Sequence, residues 1–167
     1  SCEEGTMRKL FSNGLVVVAG TLCLAAPMAH SVPHYPPTPD FQEDPRLACL
    51  QHFFQQAACP IERFSHIFIQ VADTYNLDWR LLPSISFIES TGGKMARNNN
   101  LFGWDSGKAA FSTPVAAIQE VAHQLANSSL YRNKKLDGIL HTYNPDASYA
   151  RKVKSVMQQI APTETLE

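Results

Sequence analysis

Glu89 stands four residues after Ile85 and seven after Leu82. On one continuous helix its carboxylate therefore shares a face with apolar side chains. An apolar setting disfavours the anion, and a helix C-terminus pushes the same way, so the spacing predicts a carboxyl group that holds its proton above the usual range. Such a group can protonate a departing oxygen, the step that general acid catalysis of glycoside cleavage requires. The residues that follow are rich in groups that bind or turn. Residues 91–112 contain Gly92, Gly93, Gly103 and Gly107, the run Asn98-Asn99-Asn100, and the aromatics Phe102 and Trp104. Glycines permit tight backbone paths, and asparagines bond locally to backbone or to a ligand. Asp105 is the candidate for a second carboxylate, as base or nucleophile. Glu120 reads as scaffold and Asp146 as a helix cap.

The elements that must position these groups are helical throughout. Leu47, Leu50, Phe54 and Ala57 make one apolar stripe, and Phe64, Ile67, Phe68, Val71, Ala72 and Tyr75 make a second at helical spacing. Asp78 is placed to cap a third helix through Leu81, Leu82, Ile85 and Ile88, with Pro83 near its first turn. Thr113-Pro114 reads as a cap with proline at the first helical position, ahead of Val115, Ile118, Val121, Ala122 and Leu125. Leu136, Ile139, Leu140 and Tyr143 mark a short helix. Asp146 then caps a last one with Tyr149, Ala150, Val153, Val156, Met157 and Ile160 inward. No segment alternates with period two for long enough to demand a sheet, so the expected fold class is all-α, interrupted by the loop-rich segment from Thr91 to Ser112. Rigid scaffolds commonly present functional groups on such loops.

Three stretches, in order and spacing, carry a resemblance. They are Leu82-Pro83-Ser84-Ile85-Ser86-Phe87-Ile88-Glu89-Ser90, then Asn99-Asn100-Leu101-Phe102-Gly103-Trp104, then Tyr143-Asn144-Pro145 with Tyr149-Ala150. Together they resemble the bacterial glucosaminidase family (mannosyl-glycoprotein endo-β-N-acetylglucosaminidase-like) of the lysozyme-like superfamily, over residues 61–160. The resemblance implies a lysozyme-like helical domain that cleaves the β-1,4 bonds of peptidoglycan glycan strands. It implies that Glu89 is the general acid, that Trp104 and Tyr143 line the sugar groove, and that Tyr143 also serves the catalytic step. Ser90, Asn100 and Phe102 are expected beside the substrate. Pyranose rings pack their C–H faces on aromatic rings, and their polar substituents seek partners such as Asn100 and the Tyr143 hydroxyl. Core packing is the alternative for both Phe102 and Tyr143; it is the stronger reading for Phe102 and the weaker one for Tyr143, and Tyr149 by its helix spacing reads as core. The stretch from Gly103 to Phe111 is shorter than the β-lobe that many family members use to carry a second acid, so Asp105 is a weak candidate and the substrate's own N-acetyl group can assist instead. Two alternatives stand beside this reading. A lytic transglycosylase also uses one Glu at a helix end, but its usual Gly-Leu-Met-Gln stretch is replaced here by Asn100-Leu101-Phe102-Gly103. A peptidoglycan-binding module without catalysis is the other.

The whole chain bounds these readings. Its 167 residues, 44% of them apolar, suit one ordinary domain with a tail. A net charge of −1 gives no electrostatic footprint for nucleic acid or anionic membrane. Met7-Arg8-Lys9, the apolar run Gly14 to Ala26 and Ala29-His30-Ser31 have the layout of a secretory signal, so residues 1–31 are expected to direct export to the periplasm, cell wall or medium, with Met7 as the start. That run is too short to span a bilayer. Leu22 before Cys23 disfavours lipid attachment. Residues 32–45 carry five prolines and read as a linker, residues 46–161 as the domain and 162–167 as a tail. Cys49 and Cys59 would lie ~15 Å apart on one helix, beyond disulfide reach of ~7 Å. A bond would require the helix to break before Cys59, which Pro60 permits, and reduction is expected to matter little to activity. His52, His66, His123 and His141 lack paired metal-ligand spacing, and no nucleophilic serine or cysteine signature appears, so neither a metal nor another cofactor is expected.

Overall fold

The computed structural model of the protein describes residues 44–162, and the expected signal, most of the linker and most of the tail lie outside them. Among the described residues there are six α-helices: α1 Pro45–Gln56, α2 Ser65–Tyr75, α3 Leu81–Ser90, α4 Pro114–Asn127, α5 Leu136–Tyr143 and α6 Ala147–Ile160. The fold class is all-α, and residues 91–113 form the one long connection.

The helix ends follow the capping chemistry. Asp44 accepts the Arg46 N–H at 2.9 Å, with Pro45 in the first helical position of α1. Pro45 thus belongs to the domain and not to the linker. Arg46 also bridges Asp44 at 2.7 Å and Asp73 at 2.6 Å, tying the start of α1 to α2. Asp78, expected to cap α3, instead accepts the Arg80 N–H at 2.9 Å in the turn before it; α3 begins at Leu81 with Arg80 in the N-cap position and no side-chain cap. Arg80 then donates to the Ala161 carbonyl at 2.9 Å, so the head of α3 is fastened to the tail of α6. Thr113 and Asp146 cap α4 and α6 through their side chains.

α1 ends at Ala57, and the chain turns through left-handed Ala58 (φ 48°) into a 3-10 turn over Pro60–Phe64. The helix therefore does break before Cys59, yet Cys49 and Cys59 are both free thiols.

α3 is the most deeply buried of the helices that lead to the candidate site. It packs on α6, while α2 packs on α4 and α5 on α6. Every residue from Leu81 to Ser86 is buried, which fits a helix enclosed on all sides rather than one with a single apolar stripe. Serines at 84, 86 and 90 keep its girth small. Ile85, Phe54, Phe68, Phe102, Ile118 and Leu140 are wholly enclosed in the core. Only at Phe87, Ile88 and Glu89, in its last turn, does α3 regain partial exposure.

Candidate active site

The end of α3 is held from behind. Thr91 adopts a left-handed conformation (φ 52°), and Gly92 and Gly93 follow with φ 61° and 87°. A β-branched residue there is strained, so three consecutive left-handed residues reflect a chain path imposed by packing. The packing partner is the turn after α1. A Cβ on Gly92 would stand 2.4 Å from Cys59 Sγ, and one on Gly93 would stand 2.7 Å from Ile61 Cγ2. Lys94 Nζ donates to the Ala57 carbonyl at 2.7 Å, at the C-terminus of α1. Cys59 thus braces the backbone three residues beyond Glu89, although it precedes the segment that carries the family resemblance.

Three residues expected beside a substrate prove to be internal ties. Ser90 is 3% exposed; its hydroxyl donates to the Leu101 carbonyl at 2.8 Å and accepts the Gly93 N–H at 3.0 Å. Asn100, 6% exposed, accepts the Trp104 N–H at 2.9 Å and donates to the Trp104 carbonyl at 3.0 Å, so its amide is spent on closing the loop. Phe102 is fully buried, and its carbonyl accepts the Tyr143 hydroxyl at 2.5 Å. Each fixes the path of the chain past Glu89, and Ser90 and Asn100 also line the recess that holds it. These ties share a common reason: a buried polar side chain must satisfy its hydrogen bonds internally, and backbone groups of the loop are the nearest partners.

Glu89 is half-buried, and burial holds its carboxyl above the ordinary carboxylate range. The Tyr149 hydroxyl is close enough to oppose this rise in part. It lies outside ordinary hydrogen-bond geometry to any partner, so the contact is electrostatic. Tyr149 is buried, as its helix spacing suggests, but its polar end belongs to the site. Burial first, and the nearby Glu89 charge second, push the Tyr143 and Tyr149 phenols well up. Both remain hydroxyls at any working pH. Gly103, left-handed at φ 60°, presses its backbone on Glu89, and a Cβ there would stand 2.6 Å from Glu89 Oε2.

Two cavities meet at Gly103. The larger, about 570 Å³, is lined by Trp104, Asp105, Ser106, Tyr131 and Tyr143 together with Gly103. Trp104 lies between Tyr131 (ring centroids 6.2 Å) and Tyr143 (5.7 Å), and Tyr143 stacks on Tyr149 at 5.9 Å. The smaller, about 160 Å³, holds Glu89 itself with Met95, Arg97, Asn100 and Gly107. The structure thus brings Glu89, Trp104 and Tyr143 to one region. Asp105 lines the aromatic cavity with its side chain exposed and does not share the Glu89 recess. Tyr131 and Arg97 were not among the expected site residues. Tyr131 sits in an irregular turn between α4 and α5, where no periodicity assigns a face, and only its aromatic type could have marked it.

Among the described residues no group of three His, Cys, Asp or Glu side chains could hold a metal ion, and no helix is long and apolar enough to cross a membrane. Comparison with protein-family models, with curated proteins and with solved structures finds no match.

Proposed function

We propose that the chain is an exported peptidoglycan glycosidase with a lysozyme-like domain, an endo-β-N-acetylglucosaminidase in which Glu89 is the general acid. The observation that carries this reading is the half-buried Glu89 carboxyl, its pKa raised by burial, at the junction of an aromatic cavity and a smaller recess. Trp104, Tyr131 and Tyr143 line that cavity with aromatic surface of the kind on which pyranose C–H groups pack. A glycosidic oxygen beside Gly103 would receive the Glu89 proton as its bond to the anomeric carbon breaks, leaving a carboxylate. The ring then carries oxocarbenium character until water attacks. The carboxylate regains a proton from that water, which closes the cycle. The fixed Tyr149 hydroxyl lies beside the charge that Glu89 acquires.

The position of Asp105 bears on the second half of the reaction. With its side chain exposed and outside the recess, it is poorly placed to act on the face opposite Glu89. Attack by the substrate's N-acetyl oxygen on the anomeric carbon supplies the missing nucleophile without a second protein carboxylate. The same arrangement suits a lytic transglycosylase, in which a muramyl hydroxyl closes on its own anomeric carbon. Mass analysis of fragments released from purified sacculi separates the two. The proposal expects N-acetylglucosamine at the new reducing end. Release of 1,6-anhydro-muramyl ends would move the assignment to the transglycosylase, and absence of any release would leave a binding module.

A further inference from the structure

The recess that holds Glu89 differs in chemistry from the aromatic cavity across Gly103. It contains no aromatic ring; its outer wall is Met95, 72% exposed, and the exposed guanidinium of Arg97. Among the described residues that guanidinium makes no hydrogen bond or ion pair, whereas Arg46 and Arg80 are both engaged with aspartates. The backbone of Arg97 is nonetheless fixed. Its carbonyl accepts the Asn100 N–H at 2.8 Å, and Asn100 is itself locked to Trp104. A planar cation with a fixed base and no protein partner, in the same recess as an acid, is equipped to take a carboxylate from outside. Met95 gives that recess an apolar, adaptable edge.

We infer that Arg97 and Met95 form a specificity subsite for the charged branch of the glycan, binding a carboxylate carried on the lactyl ether of alternate sugars. The inference rests on the peptidoglycan reading above and names which part of that substrate is recognised. A neutral β-1,4 chain of N-acetylglucosamine satisfies the aromatic cavity but offers Arg97 nothing. Two sources share the required chemistry. In a peptide-stripped strand the lactyl carboxylate is free; in a peptide-bearing strand it is an amide, and the free carboxylates belong to the stem peptide.

The test measures binding of three soluble fragments of equal glycan length to the full chain carrying Glu89→Gln, which prevents turnover. These are a neutral N-acetylglucosamine oligomer, a peptide-stripped glycan fragment and a peptide-bearing one. The readout is the ratio of affinity for each charged fragment to that for the neutral oligomer. Adding Arg97→Gln should lower this ratio roughly five- to tenfold for at least one charged fragment, the scale of one hydrogen-bonded ion pair. Arg97→Lys should recover part of it, and raised salt should shrink it in the parent protein. The fragment that loses the preference identifies the lactyl or the stem carboxylate as the group bound. A ratio unchanged by Arg97→Gln overturns the subsite. Binding of no fragment at all overturns both the subsite and the function. A preserved, Arg97-dependent ratio in a protein whose wild type releases nothing from sacculi would sustain the subsite and refute the enzyme.

Discussion

Residues 91–102 and 103–112 belong to one connection between α3 and α4, yet they are built by different means. In the first half, Gly92 and Gly93 lie against Cys59 and Ile61, Asn100 bonds to the Trp104 backbone, Leu101 and Phe102 are core, and Ser90 at the end of α3 ties to the Leu101 carbonyl and the Gly93 N–H. The second half is held by its own turns, with the Gly107 N–H donating to Gly103 and the Lys108 N–H to Asp105, while Asp105 to Lys108 are exposed. It is fastened to the first half at its two ends, where Trp104 bonds to Asn100 and Phe111 exchanges bonds with Asn98 and Asn99. A braced half fixes where Glu89 points; an open half leaves room for a ligand. Gly103 stands at the boundary and touches the acid itself.

Substituting one glycine of the braced half and the glycine at the boundary should expose that difference. Gly92→Ala meets a buried sulfur at a left-handed position, and the combined strain and overpacking should cost about 3 kcal/mol or more, read by denaturant unfolding. Gly103→Ala meets only the far end of a flexible carboxylate. Its cost in stability should be about 1–2 kcal/mol, the left-handed penalty alone. Hydrolysis should nevertheless fall sharply, because the added methyl displaces Oε2. Equal losses of stability at both positions would erase the distinction between the halves.

Asn100→Ala tests the braced half at a polar tie. The Trp104 N–H loses its partner while its carbonyl keeps the Gly107 and Ala109 N–H donors, so a loss of about 1–2 kcal/mol is expected, with weaker substrate binding as Trp104 loosens. A variant as stable as wild type would return Asn100 to the role of a ligand group.

The helices were legible because their periodicity and caps act locally. Thr113 and Asp146 each sit one step before their helices and cap them as their positions suggest, whereas Asp78 bonds only within the turn ahead of α3, whose N-cap is Arg80. Glu89 was legible for the same reason, since a helix fixes which face a residue shares. The loop was not. Ser90, Asn100 and Phe102 turn inward because left-handed Thr91, Asn98, Asn99 and Gly103 redirect the chain, and no repeat in the sequence encodes those bends. The brace by Cys59 is a contact between residues 33 apart, invisible to any local pattern.

A smaller effect lies in the pH dependence of stability. The folded chain retains a proton on Glu89 that the unfolded chain releases near 4.5, so the folded state binds more protons in that window. Stability contributed at this site is therefore greatest below that value and declines as pH rises through the raised folded pKa. Glu89→Gln removes the decline. Its stability relative to wild type should grow from nil in acid to a modest advantage near neutrality, measured by thermal unfolding across pH. An advantage that grows toward acid would mean that Glu89 is stabilised as an anion.

Turnover of peptidoglycan by Glu89→Gln bears on the central claim most directly. The amide keeps the shape and polarity of the side chain but has no proton to transfer. Release of soluble fragments from purified sacculi should fall by roughly a hundredfold or more, while the variant stays folded and still binds sacculi. Digestion at close to the wild-type rate would contradict the assignment of Glu89 as the acid.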